Sequence, residues 1–142
     1  MMQGVRAKAP DAEILGAVVT PFVTGGAEVI VGMTRDPQFG PVIMFGMGGI
    51  FVEVFKDVSF RVAPFTRQEA LAMIDETKAS AVLRGARGAA PKDVEALADL
   101  LVRVGNIAVA NPQIREMDLN PVLVQEHGLA VLDARVIVQG AK

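Results

Sequence analysis

A chain of 142 residues is the size of one domain and is long enough to bury a hydrophobic core. Half of it is apolar (51%), yet no uninterrupted apolar run approaches the roughly 20 residues that span a bilayer, and its first residues lack the apolar segment of a secretory signal. A net charge of -2 with interspersed signs, and the absence of Trp and Tyr, argue against a nucleic-acid partner. We therefore expect one domain over residues 1–142 in the cytoplasm, with neither a membrane nor a nucleic-acid partner.

The first third of the chain predicts a short helix followed by two strands. Residues 1–9 are compatible with a turn or two of helix. Residues 14–23 are expected to form a buried strand and residues 27–34 a second one, joined through the Thr-Gly-Gly sequence at 24–26 in the manner of a hairpin. Glu28 stands where the second strand begins, so it is either an exposed strand-end carboxylate or a functional residue.

A glycine-rich loop follows a short predicted strand at residues 42–45. Gly46, Gly48 and Gly49 lack side chains where the backbone must approach something closely. Such a loop can expose amide N–H groups and cradle phosphate. The spacing matches neither a Walker loop nor the dinucleotide fingerprint. The alternative is a tight bend between two strands.

Two charged residues stand out in the predicted strands that follow this loop. Residues 50–55 continue in extended form, and Glu53 is the only charge in that apolar run. Because burying an unpaired carboxylate is costly, Glu53 should meet a cation, a metal or water. In the strand predicted at 58–63, Arg61 is either solvated or the partner of an anionic group.

At Thr66 the apolar period changes from 2 to 3.6, which indicates helices. Thr66-Arg67-Gln68-Glu69 matches a capping box, and a helix is expected from there to about residue 77. A further turn is expected at 79–83. Residues 84–88, with two arginines and two glycines, form either a flexible surface loop or an anion contact. A long helix is predicted from residue 91 to 107.

The last part of the chain reads as a hairpin with strands at residues 114–124 and 129–138. If the loop is residues 125–128, Asn120 lies opposite Asp133 and Asp118 lies opposite Arg135. Alternation along a regular strand would place Asp118 and Asn120 on the same side as Val122 and Val124. The sole histidine, His127, falls in the turn and is expected to be exposed rather than catalytic.

Three oxygen-bearing side chains converge in this predicted hairpin. Carboxylate and amide oxygens from Asp118, Asn120 and Asp133 are the hard donors that Mg²⁺ takes. The alternative is a half-solvated edge hairpin, since Asp and Asn also occur at strand ends for turn reasons.

The order of elements predicts the fold class. Several strands joined by tight turns precede two helices and a closing hairpin, which indicates an α+β domain with a mostly antiparallel sheet and helices packed on one face.

Two stretches of sequence resemble a known family. The run from Glu28 to Phe65 (EVIVGMTRDPQFGPVIMFGMGGIFVEVFKDVSFRVAPF) resembles the ATP-grasp part of NDP-forming acyl-CoA synthetases, such as ADP-forming acetyl-CoA synthetase. The segment from Glu116 to Val124 (EMDLNPVLV), with Leu132-Asp133-Ala134, resembles the metal-binding close of that domain, seen also in the beta subunit of succinyl-CoA synthetase. The two stretches occur in the family's order, and they lie between residues 28 and 134 of the chain.

The resemblance implies a set of site residues. Asn120 and Asp133 match the family's Mg²⁺ ligands, and Asp118 occupies the neighbouring carboxylate position. Glu28 matches the acidic residue near the nucleotide, and the loop of Gly46, Gly48 and Gly49, with Glu53 as the catalytic candidate, would line the phosphate-transfer cavity. The implied ligands are ATP or ADP and Mg²⁺. In that family ATP, an acyl group and coenzyme A are interconverted with ADP, phosphate and acyl-CoA through a phosphorylated histidine.

The resemblance also implies what lies outside this sequence. The chain corresponds to the carboxyl-terminal lobe of an ATP-grasp fold, and the first lobe and the coenzyme A-binding domain are absent from it. We therefore expect a portion of an acid-thiol ligase that is inactive alone and that works with the missing lobe or a coenzyme A-binding subunit. The alternative is a non-catalytic assembly module that keeps the fold. A lobe built to face another lobe leaves sheet surface uncovered, so we also expect a homo-oligomer.

Overall fold

The computed structural model describes residues 2–48 and 57–140, and within them a six-stranded sheet carries helices on one face. The helices are α1 (Met2–Lys8), α2 (Arg67–Asp75), α3 (Ala79–Leu83) and α4 (Val94–Ala110), with a 3-10 turn at Ala86–Gly88. The strands are β1 (Ala27–Asp36), β2 (Gly40–Met47), β3 (Val58–Val62), β4 (Ile114–Val124), β5 (Leu129–Val131) and β6 (Ala134–Val138). The strand order is β3-β2-β1-β4-β5, β6 also pairs with β4, and every pairing is antiparallel. The predicted α+β class is therefore confirmed.

The core lies between one face of the sheet and α2, α3 and α4. Alternate residues of the two central strands point into it, and α4 contributes residues three or four positions apart because that spacing keeps them on one side of a helix. The largest fully buried side chains are Phe45, Ile43, Met73, Ile74, Leu83, Leu97, Leu101, Val29, Val31, Val122 and Val124. In the described parts of the chain, no helix combines the length and the apolar character needed to cross a membrane.

The capping box predicted at the start of α2 is present. The Thr66 hydroxyl accepts a hydrogen bond from the Glu69 amide (3.3 Å), and the Glu69 carboxylate accepts one from the Thr66 amide (2.7 Å). Because these bonds favour the ionised carboxylate, they hold the pKa of Glu69 below its ordinary value, the Thr66 backbone bond contributing most.

Asp93 ties the start of α4 to the hairpin turn. Its carboxylate accepts hydrogen bonds from the amides of Ala96 (2.9 Å) and Gly128 (2.7 Å). The first bond caps the helix, and the second holds the loop between β4 and β5 against it. Both bonds, the one from Ala96 first, lower the pKa of Asp93.

The strand predicted at residues 14–23 is wrong, and so is its hairpin with the next strand. No strand is present there, and Leu15, Val18, Val19 and Phe22 are each at least 91% exposed. Both edges of β1 are already occupied, by β2 and β4, so the segment has no ladder beside β1 to join. Its apolar sequence satisfied the strand pattern, but a strand also needs a partner.

The predicted alternation along β4 is also wrong, because a β-bulge interrupts it. Val31 pairs with Leu119 and Val29 pairs with Val122, so Asn120 and Pro121 together oppose one residue of β1. The bulge changes which side chains face the helices. Val122 is buried in the core while Asp118 and Asn120 are exposed, so these polar residues do not share a face with it.

Candidate functional site

The hairpin register brings the predicted polar residues together. The backbone N–H of Asn120 donates a hydrogen bond to the backbone carbonyl of Asp133 (3.2 Å). Asp118 pairs directly with Arg135 in the ladder between β4 and β6. The Gln125 amide bonds to the Gly128 carbonyl (3.0 Å) and closes the four-residue loop. The predicted register is therefore confirmed.

These residues lie on the open face of the sheet, by which we mean the face opposite the helices. Pairing across five strands aligns one row of residues on it: Phe60, Met44, Gly32, Asp118 and Arg135. The row is apolar on β3 and β2 and charged on β4 and β6. Gly32 has no side chain, and a Cβ there would lie 3.3 Å from Met44 Cε, so the Met44 side chain reaches over this position.

A shallow concavity of about 340 Å³ lies along this row and its neighbour. The neighbouring row runs from Val42 through Thr34 and Glu116 to Ile137. On the other side lies the row with Gly46, Ile30 and, across the bulge, Asn120 and Asp133. Residues two apart on a strand are separated by about 7 Å, so the three rows form one continuous surface.

The donor atoms of Asp118, Asn120 and Asp133 fit a hard cation. All three side chains are exposed, and one carboxylate oxygen of Asp133 accepts a hydrogen bond from the Ala134 amide (2.9 Å), which orients the group and leaves its second oxygen available. Within residues 2–48 and 57–140, no cluster of three or more His, Cys, Asp or Glu side chains could hold a metal ion by itself. Two carboxylates and one amide leave an octahedral ion in need of further oxygen ligands. The metal role of these residues stays a prediction.

The two described glycines of the predicted phosphate loop are in tight contact with their own chain. A Cβ on Gly48 would lie 2.9 Å from the carbonyl carbon and oxygen of Glu28, and a Cβ on Gly46 would lie 2.8 Å from Val58 Cγ1 and 2.9 Å from the Asp57 carbonyl. The Gly48 amide already donates to the Glu28 carbonyl (2.8 Å). Close backbone packing is therefore a sufficient reason for both glycines, and a contact with phosphate stays a prediction.

Glu28 itself is exposed on the open face, paired with Leu123 one row beyond the row of Asn120. The predicted nucleotide residue Gly49 and the catalytic candidate Glu53, with the extended run at 50–55, lie outside the described residues. Their proximity to Glu28 therefore also stays a prediction.

Two cations with open interpretations are engaged in ion pairs. Arg61 bonds to the Glu76 carboxylate, with Nη1 3.0 Å from Oε2, and this hydrogen bond lowers the pKa of Glu76. Nε and Nη2 of Arg84 donate hydrogen bonds to the Asp75 carboxylate at 2.6 to 3.0 Å. Structural pairing therefore explains both arginines, and His127 is exposed as predicted.

The concavity includes residues that the sequence analysis did not select. Among them are Thr34, Met44, Phe60, Glu116 and Arg135. A signal for Arg135 was present: it stands two positions after Asp133, and a strand places such residues on the same face. Met44 and Phe60 offered none, because apolar residues in a strand do not reveal which face they occupy.

Comparisons with known proteins show what the chain is similar to. The family model described as an ATP-grasp domain matches residues 1–138. The chain is 55% identical over 138 residues to acetate–CoA ligase [ADP-forming] I of Archaeoglobus fulgidus, covering 97% of this chain and 20% of that protein. It is 53% identical over 138 residues to the beta subunit of acetate–CoA ligase [ADP-forming] I of Pyrococcus furiosus, covering 97% and 60%.

Solved structures extend the similarity to the fold. Dinucleotide-forming acetyl-coenzyme A synthetase 1 of Ca. Korarchaeum cryptofilum, in complex with coenzyme A, Ca-AMPCP and HgCl+, matches with a TM-score of 0.86 and 52% identity, over 97% of this chain and 60% of that one. The selenomethionine derivative of that synthetase, in complex with coenzyme A and Mg-AMPPCP, matches with a TM-score of 0.80 and 55% identity, over 83% and 55%. This chain thus spans from a fifth to three-fifths of the length of these relatives. With the family model covering nearly every residue, the chain belongs to the ATP-grasp domain family.

Proposed function

We propose that this chain is the ATP-grasp portion of an ADP-forming acyl-CoA synthetase, such as acetyl-CoA synthetase, and that it binds ATP or ADP with Mg²⁺ for phosphoryl transfer. The observation that carries the proposal is the pairing of Asn120 with Asp133 on the open face, next to Asp118. Relatives above 50% identity are named as ADP-forming acetate–CoA ligases, and the similar structures hold Mg-AMPPCP or Ca-AMPCP.

In this proposal each residue has a defined part. Asn120 and Asp133 ligate the ion, and Asp118, two residues before Asn120 on β4, supports it. The bond from the Ala134 amide holds the Asp133 carboxylate in one orientation, which lowers the cost of ordering it on binding. When bound, Mg²⁺ neutralises charge on the transferring phosphate, which is much of what a protein must supply for phosphoryl transfer.

The nucleotide is proposed to lie along the same face, towards the start of β1. Glu28 contacts it, and the loop of Gly46, Gly48 and Gly49 lets the backbone come close to the phosphates. Glu53 is the proposed catalytic residue at the phosphate-transfer cavity. The bond between the Gly48 amide and the Glu28 carbonyl supports this assignment, because it fixes the end of β2 beside Glu28.

The proposal extends to partners. Because this chain spans 60% of relatives that are named as beta subunits, we propose that it works with a further ATP-grasp lobe and a coenzyme A-binding subunit, in a homo-oligomeric assembly in the cytoplasm. The exposed apolar segment 14–23 supports this, since an exposed apolar surface of that kind usually meets a partner.

The test uses Asp133→Ala, with Glu13→Ala as a matched control in an exposed segment. Titration of the ¹⁵N-labelled chain should show little Mg²⁺ binding without nucleotide and clear binding with ADP. The readout is the chemical shift of the Asn120 backbone amide. The Asp133 variant should lose the ADP-dependent Mg²⁺ response while keeping the fold, and in a complex with the proposed further ATP-grasp lobe and coenzyme A-binding subunit it should lose phosphoryl transfer.

Two results would change the proposal. Wild-type behaviour of the Asp133 variant in both assays would remove the metal assignment. A chain that binds no Mg²⁺ with ADP and restores no acyl-acid-dependent ADP formation would instead be an assembly module that keeps the fold.

A further inference from the structure

Arg135 is the cation of the charged half of the open face. It lines the concavity together with Glu116 and Asp118, and the ladder between β4 and β6 places it directly opposite Asp118. It stands two residues after Asp133, and residues two apart in an extended chain share a face, so it lies next to the proposed metal ligands.

The guanidinium of Arg135 has no protein partner in the part of the chain that the structure describes. Among the described residues it makes no hydrogen bond and no ion pair, although two carboxylates line the same concavity. Arg35, Arg61, Arg67 and Arg84 hold protein partners, whereas Arg6, Arg103 and Arg115, like Arg135, have none among the described residues. Of these four, Arg135 is the one that lines the concavity. An arginine stays charged at any ordinary pH and offers five N–H donors in a planar fork that suits phosphate oxygens.

We propose that Arg135 binds the transferable phosphate on the open face, donating to its non-bridging oxygens while the ion held at Asn120 and Asp133 neutralises the rest of the charge. The inference rests on the proposed function and adds a phosphate-binding residue to it. The concavity of about 340 Å³ that Arg135 lines together with Asp118 and Met44 leaves room for the group beside the guanidinium.

This role predicts effects of opposite sign on two ligands. Removing the guanidinium takes away donors to phosphate and so weakens polyphosphate binding. It also removes a positive charge beside the metal ligands, and therefore strengthens the weak binding of Mg²⁺ alone. A residue that only supports the hairpin would shift both ligands in the same direction.

The experiment is a titration of the ¹⁵N-labelled chain with Mg²⁺ alone and with tripolyphosphate in the presence of Mg²⁺. It compares Arg135→Met with Arg135→Lys and with Arg103→Met, a control on the exposed surface of α4. We expect Arg135→Met to weaken tripolyphosphate about 10-fold, as the loss of a charge-assisted hydrogen bond implies, and to strengthen Mg²⁺ alone by about three-fold. The lysine variant should recover part of the tripolyphosphate affinity, and the Arg103 variant should match the wild type.

Three results would overturn the inference. The first is an unchanged tripolyphosphate affinity in Arg135→Met, the second is an absence of tripolyphosphate binding in the wild type, and the third is weaker binding of both ligands in Arg135→Met. If Mg²⁺ with tripolyphosphate shifts the Asn120 and Asp133 amides independently of Arg135, only the inference fails. If those amides respond to neither ligand in any variant, the proposed metal site fails with it.

Discussion

Gly48→Ala tests whether the glycine-rich loop is needed for packing of the chain itself. In the wild type the Gly48 amide donates to the Glu28 carbonyl at 2.8 Å. A Cβ on Gly48 would lie 2.9 Å from the carbonyl carbon and oxygen of Glu28 and 3.0 Å from its Cβ. Two of these three atoms are backbone, so no side-chain rotation relieves the contact and the end of β2 must move away from β1.

The cost follows from these contacts. Moving the strand end weakens one buried hydrogen bond, worth about 1 kcal/mol, and crowding of this kind costs about 1 to 3 kcal/mol. We therefore expect the free energy of unfolding to fall by about 2 to 4 kcal/mol. A chain of this length loses about 3 °C in Tm per kcal/mol, so Tm should fall by about 6 to 12 °C.

Thermal and urea denaturation followed by circular dichroism measure this change. Gly16→Ala is the matched control, because a Cβ there has nothing within 4 Å. The control should stay within about 1 kcal/mol of the wild type. If Gly48→Ala is as stable as the control, the close packing does not constrain this position, and contact with a ligand becomes the better reason for the glycine.

Three further predictions concern stability and association. Arg35→Met should lower the free energy of unfolding by about 2 to 4 kcal/mol in urea denaturation, because Arg35 donates to three backbone carbonyls at the end of α4 and the start of β4 (2.7 to 3.3 Å). The control Arg103→Met should stay within about 0.5 kcal/mol of the wild type, and equal losses in the two variants would contradict the reasoning. For Asp93, whose pKa is lowered in the folded chain, the stabilisation is present above the unfolded pKa of about 3.9 and is lost as pH falls through the folded value. Asp93→Asn should therefore be less stable than the wild type at pH 7 and approach it as pH falls through the lowered pKa of Asp93, whereas a pH-independent difference in thermal melts would refute the charge-based explanation. Light scattering should show a dimer or larger assembly, because segment 14–23 exposes large apolar side chains, and a monodisperse monomer at high concentration would count against this.

Local patterns in the sequence were sufficient for several elements. The capping box at Thr66 depends on side chains that bond within their own turn, so neighbouring residues determine it. For α4 the sequence predicts a start at residue 91, whereas the helix begins at Val94, after the Asp93 cap. The hairpin register depends on its loop length, and the bond from Asn120 to Asp133 follows from it. The metal-site candidates could be selected from sequence for this reason.

The tertiary structure decided what depends on neighbours distant in sequence. Segment 14–23 has the composition of a strand, but whether it pairs depends on a free ladder, and β1 has none to offer. The bulge opposite Ile30 arises from pairing with a strand some 90 residues away in sequence, and it alone separates Asn120 from the core face of Val122. The row that places Arg135 in one concavity with Met44 and Phe60 requires the registers of four strand pairs at once. Side-chain alternation is a property of one strand, whereas a surface is built across strands, so only the assembled sheet determines which residues share it.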